Sequence, residues 1–173
     1  MEAFPTLKYV SREELAAWLQ AKDTPATAAA EGGSEEASTA QKPKIAVVDV
    51  RDSGGHIKSS LHRPSQAFSS QLDNILAELS GYDKVVFHCA LSQQRGPSAA
   101  LKYQRSKAAL ENLKKSAGKE EQELVFGKVG GKNEQEVYVL DGGFVKWQEK
   151  YSADEGLTEG WRKDVWEGGF YDY

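Results

Sequence analysis

The run Lys84-Val85-Val86-Phe87-His88-Cys89-Ala90-Leu91-Ser92-Gln93-Gln94-Arg95-Gly96-Pro97 decides the fold. Lys84 to His88 has the length and apolar, β-branched make-up of a short buried strand. Beyond Pro97, Ala99, Ala100, Tyr103, Leu110 and Leu113 are spaced as one face of a long helix, with Lys and Arg on its other faces. The chain therefore passes from a strand through a tight loop into a helix. Outward from this segment the alternation repeats. Upstream, Ile45 to Val50 is a second β-branched run, and Leu72, Ile75, Leu76 and Leu79 recur at helical spacing behind a cap at Ser69 or Ser70, with Gly81 placed to stop that helix. Downstream, Val137 to Leu140 reads as a strand, and a helix carrying Phe144, Val145 and Trp147 follows. Near the N-terminus Ser11 and Glu14 form a capping-box pattern, with Val10 and Leu15 as its hydrophobic staple, before a helix carrying Leu15, Trp18 and Leu19. Strands alternating with helices predict an α/β fold with a mainly parallel sheet.

Two stretches do not fit that rhythm. Residues 22–44 are rich in Ala, Thr, Ser, Glu, Gly and Pro without apolar periodicity, and residues 116–136 are polar and Gly-rich, so both are expected to be flexible insertions. Residues 154–173 form an acidic tail that carries Trp161, Trp166, Phe170, Tyr171 and Tyr173, suited to a strap across the domain or to a partner surface. With 173 residues, the chain is expected to form one domain over residues 1–173.

The composition narrows the function classes. No apolar run approaches the roughly 18 residues needed to cross a bilayer, so no membrane span is expected. The start Met1-Glu2-Ala3-Phe4-Pro5 lacks the basic and apolar regions of a secretory leader, and a cytoplasmic or nuclear location is the expectation. The single cysteine excludes an intrachain disulfide and suits a reducing compartment. A net charge of -4 opposes broad nucleic-acid binding, which relies on many cations facing phosphates. Any anion recognition has to be local.

The loop between the strand and the helix supplies such a place. At a helix N-terminus, backbone N–H groups and the helix dipole favour a tetrahedral oxyanion. Ala90, Leu91, Ser92, Gln93 and Gln94 would form the cradle, and the guanidinium fork of Arg95 would close it by gripping two oxygens. The same field is expected to favour the thiolate of Cys89, the form that attacks. A cysteine at a strand end is often plain core, but here strand, helix and arginine surround it in the arrangement that the chemistry needs. His88 fits either a core histidine or a group that tunes the thiolate. Gly142 and Gly143 read as a tight turn requiring positive φ.

Three segments, Asp49-Val50-Arg51 with Gly54-Gly55-His56-Ile57, the loop His88 to Pro97, and Val139-Leu140-Asp141-Gly142-Gly143-Phe144 with Trp147, resemble the rhodanese-like domain. The resemblance runs from Ile45 to about Tyr151 and implies a three-layer fold, with a mainly parallel central sheet flanked by helices. Seven residues from Cys89 to Arg95 inclusive look like the cell-division-cycle twenty-five class of phosphatases, whereas sulfurtransferring rhodaneses have a loop one residue shorter. The segment is most similar to small fungal phosphatases of that class, whose relatives include arsenate reductases.

The resemblance implies Cys89 as nucleophile, Arg95 as transition-state clamp, residues 90–94 as phosphate cradle, and Asp49 and Arg51 as supporting residues, with His56 in a structural turn. It implies hydrolysis of phosphomonoesters, on protein phosphotyrosine or with dual specificity, through a thiophosphate intermediate and without a metal or organic cofactor. The substrate is then a phosphoprotein or a small oxyanion. Two alternatives stand beside it: arsenate reduction with an external thiol such as glutathione, and a non-catalytic oxyanion- or protein-binding module. The cell-cycle phosphatases carry an acidic residue directly after the cysteine. Here that position is Ala90 and the loop holds no carboxylate, which leaves the proton donor open, with Asp141 one candidate.

Overall fold

Alternation along the buried strands builds the core. In a computed structural model, which describes residues 6–23, 42–52, 54–117 and 135–168, β1 (Lys8–Val10) precedes α1 (Arg12–Asp23) and β2 (Ile45–Asp49). Next come the short strands β3 (His56–Ile57) and β4 (Leu61–His62), then α2 (Ser65–Phe68) and α3 (Leu72–Leu79). The remaining elements are β5 (Lys84–His88), α4 (Arg95–Ser116), β6 (Glu136–Leu140), α5 (Gly143–Tyr151), β7 (Thr158–Glu159) and α6 (Lys163–Glu167).

Five strands form one sheet in the order β1-β6-β5-β2-β4, and every neighbouring pair is parallel. β3 and β7 make a separate antiparallel pair. Because side chains alternate across a strand, β2 feeds both faces of the sheet. Ala46 and Val48 join Phe68, Ile75, Leu79, Ala100 and Tyr103 on the side of α2, α3 and α4. Ile45 and Val47 join Leu15, Phe144, Trp147 and Leu157 on the side of α1 and α5. The expected three-layer α/β arrangement is present.

Several local expectations hold. The Ser11 Oγ accepts the Glu14 N–H at 3.2 Å, and Val10 and Leu15 are both buried. Gly142 and Gly143 have φ of 72° and 59°. Other expectations need correction. Neither Ser69 nor Ser70 caps α3: its N-cap is Gln71, Ser70 bonds the Ala67 carbonyl, and Ser69 accepts from Lys102. The apolar face of α4 is buried only in its first half, and Leu113 is 57% exposed because the helix runs past the sheet-covering region.

The two expected insertions lie largely outside the described residues. At their described ends the chain is regular: Lys22 and Asp23 close α1, Ser116 closes α4, and Glu136 opens β6. Gln135 donates to the Leu79 and Tyr82 carbonyls and accepts from the buried Tyr103 hydroxyl at 2.7 Å. The described part of the tail is a strap. β7 pairs with β3, and Trp166 is buried against Phe144 with its indole N–H on the Gly54 carbonyl. Phe170, Tyr171 and Tyr173 lie outside the described residues.

Candidate active site

Strand register places the site. β2 and β5 are aligned so that Asp49 lies opposite His88. Parallel neighbours then end level, and the segments that follow them emerge side by side at the carboxyl edge of the sheet, where open α/β folds bind ligands. From β2 come Arg51 and Asp52; from β5 comes the loop that leads into α4.

Cys89 is buried at the end of β5, and its Sγ accepts the backbone N–H of Ser92 at 3.2 Å. That contact depends on an unusual conformation, since Ser92 has φ of 53°, a left-handed setting that costs a non-glycine residue roughly 1–2 kcal/mol. The Ser92 Oγ is buried without a hydrogen-bond partner among the described residues. Arg95 opens α4, whose 22 residues point their N-terminal end at the loop. Cys89, Ala90, Leu91, Gln93, Gln94 and Arg95 line a cavity of about 320 Å³. The structure thus brings together the predicted nucleophile, clamp and cradle.

Main-chain contacts brace the loop from two sides. The Phe144 and Val145 N–H groups donate to the Cys89 and Ala90 carbonyls at 3.0 and 2.9 Å. Gly143 makes this approach possible, because a Cβ there would stand 2.4 Å from the Ala90 oxygen and 2.5 Å from that of Cys89. Gly96 plays the matching part on α4, where a Cβ would meet the Cys89 nitrogen at 3.2 Å.

Asp49 and Arg51 lie below the loop as a buried bidentate pair, with Nε to Oδ1 at 3.0 Å and Nη2 to Oδ2 at 2.6 Å. Arg51 also donates to the Gly55 carbonyl at 2.6 Å and stacks its guanidinium 4.0 Å from the Phe144 ring centroid. Burial by itself would raise the Asp49 pKa, but the proximity of His88 and the hydrogen bonds and charge of Arg51 hold it at about 2. The pair anchors the chain after β2 and supports Phe144, which in turn holds Cys89.

His88 is fully buried, and burial pushes its pKa below the ordinary value, with Arg51 adding to the shift. Its Nδ1 meets the Cys89 carbonyl at 3.3 Å, its Nε2 stands 4.0 Å from Asp49, and its ring stacks on Phe144 at 6.2 Å. The ring packs the floor and contacts the Cys89 main chain. His56 is half-exposed and pairs with Glu159 across β3 and β7. Asp141, the candidate acid, is exposed and engaged by Lys146 at 2.9 Å. Asp52, by contrast, places Oδ2 3.6 Å from Arg95 Nη1. Nothing in the local pattern around Asp52 signals this approach, which depends on the β2–β5 register.

A metal-binding cluster is absent among the described residues. No helix among them is long and apolar enough to cross a membrane.

The sequence model of the rhodanese-like domain matches residues 34–150, which take in β2, β4, β5 and β6 of the parallel sheet and the Cys-x5-Arg loop at its carboxyl edge. The protein belongs to the rhodanese-like domain family. It is 35% identical over 113 residues to the CDC25-like phosphatase YCH1 of Saccharomyces cerevisiae, covering 58% of this chain and 67% of the relative. Over 64 residues it is 44% identical to the dual specificity phosphatase Cdc25 of Arabidopsis thaliana, covering 35% and 44%. Over 65 residues it is 46% identical to arsenate reductase 2.2 of Oryza sativa subsp. japonica, covering 35% and 50%. The chain spans about half the length of these last two relatives. A solved structure described as Ygr203w, a yeast protein tyrosine phosphatase of the rhodanese family, superposes with a TM-score of 0.61 at 30% identity, covering 95% of this chain and 99% of the other.

Proposed function

We propose that the chain is a cysteine-dependent phosphatase acting on phosphomonoesters of the phosphotyrosine or dual-specificity class. The observation that carries this reading is a buried Cys89 sulfur, in contact with a loop N–H, in a cavity whose lining also includes Arg95 at the head of α4. In the first step Cys89 attacks phosphorus, while Arg95 and the N–H groups of residues 90–94 hold the equatorial oxygens as charge develops. Water then releases phosphate from the thiophosphoryl intermediate and returns the bonding pair to sulfur.

Similarity to a rice arsenate reductase favours a second reading of the same site. The Cys89 thiolate would bond arsenic as one arsenate oxygen leaves as water, an external thiol such as glutathione would attack sulfur to form a mixed disulfide as As(V) leaves as As(III), and a second thiol would restore Cys89. An external thiol is required because the chain has no second cysteine.

Hydrolysis of para-nitrophenyl phosphate under reducing, metal-free conditions tests the choice, with Cys89→Ser alongside. Turnover by the parent and none by the variant is the expected result. Inactivity of both removes the phosphatase reading, and glutathione-dependent arsenate reduction by the parent then decides between the second reading and a non-catalytic binding module.

A further inference from the structure

The loop of the proposed phosphatase lacks a carboxylate, yet a leaving oxygen needs a proton. The residues lining the cavity at Cys89 include no acid, and neither do those of the adjoining cavity of about 200 Å³, which shares Gln94 and Arg95 and adds Ser65, Ser98 and Lys102. Asp49 commits both oxygens to Arg51. Asp141 is exposed and held by Lys146, and it lines neither cavity. Asp52 differs from both: its side chain is 51% exposed, and Oδ2 approaches the oxyanion clamp itself, 3.6 Å from Arg95 Nη1. Anchors stand on either side of it. Arg51 is buried in its bidentate pair, the Gly54 carbonyl accepts from Trp166 at 2.8 Å, and the Gly55 carbonyl accepts from Arg51.

We propose that Asp52 is the proton donor to the leaving oxygen, an inference that rests on the phosphatase reading. A phosphoryl group that takes up position on Arg95 sits on the clamp that Asp52 already approaches, and Asp52 enters the step as the carboxylic acid. Cys89 Sγ then forms its bond to phosphorus as the ester P–O bond breaks. The leaving oxygen keeps the bonding pair and takes the Asp52 proton, so a neutral phenol or alcohol departs and Asp52 becomes a carboxylate. In the second step Asp52 receives the proton of the attacking water as its oxygen bonds phosphorus and the S–P pair returns to Cys89.

Leaving-group dependence separates a donor from a residue that merely positions Arg95. The parent and Asp52→Asn are compared on phenyl phosphate, whose leaving oxygen is strongly basic, and on para-nitrophenyl phosphate, whose leaving oxygen is not. The expected result is a loss in kcat/KM of about 100-fold or more on phenyl phosphate and less than about 10-fold on the nitrophenyl ester. Inorganic phosphate should inhibit both proteins with similar strength, which checks that the cradle is intact. Equal losses on the two esters, or no loss on either, overturn the donor role while the phosphatase reading stands. Absence of hydrolysis by the parent removes that reading and the donor with it.

Discussion

The floor beneath Cys89 and the mouth above it are built from the same kinds of residue put to opposite use. In the floor, Asp49 and Arg51 are buried, doubly bonded and stacked on Phe144. Three positions after Asp49, Asp52 is half in solvent and meets Arg95 by a single longer contact. A buried pair with both oxygens occupied cannot respond to a visiting anion, because separating it would strand a charge in a low dielectric. A half-exposed pair can exchange partners, since water stabilises either arrangement. Fixed charges therefore define the geometry here, and exchangeable charges are left for chemistry.

Breaking the floor should have the largest effect. Arg51→Ala leaves Asp49 buried and unpaired, and urea denaturation should show a loss of about 3–5 kcal/mol. A loss under 1 kcal/mol would mean that water reaches the floor and that the contrast is one of degree. Gly143→Ala is a more local test, since it puts a Cβ at positive φ against the Ala90 and Cys89 oxygens. It should cost about 2 kcal/mol and lower turnover together with stability. Gln93→Ala, on the exposed rim of the cavity, should move stability by less than about 0.5 kcal/mol. If those two variants melt alike, the loop is not braced from α5.

A further effect concerns protons. Folding keeps His88 below its ordinary pKa of 6.5, so below that pH the unfolded chain binds a proton that the folded chain refuses. Stability is full above about pH 6.5 and falls as the pH drops, by up to roughly 1.4 kcal/mol per pH unit. The Asp49 contribution follows the carboxylate sign: it is present above about pH 4 and is lost as pH falls toward about 2. Melting between pH 7 and 5 should therefore decline in the parent and decline less in His88→Asn. Parallel slopes would show that another group controls this range.

How much of this is legible in the sequence follows from chain distance. β2, β5 and β6 declare themselves because three or four consecutive apolar residues make a run in each. The Cys89 and Arg95 pair is legible because strand, loop and helix are contiguous. β3, β4 and β7, two residues each, are too short to carry a periodicity, and α2 is a single turn. The approach of Asp52 to Arg95 is invisible for a different reason, because it is created by the Asp49–His88 register and not by any local pattern. Gly143 lies between these cases. Its positive φ can be expected from a Gly-Gly turn, but that its missing side chain makes room for the carbonyls behind Cys89 cannot.

That last contact divides labour within the loop. The carbonyls of Cys89 and Ala90 are tied to α5 through main-chain atoms alone, so the shape of the loop there does not rest on the side chains of Leu91, Gln93 or Gln94. Those three positions are like interchangeable bits in a fixed chuck: their side chains can change while the main chain at Cys89 and Ala90 keeps its hold on α5.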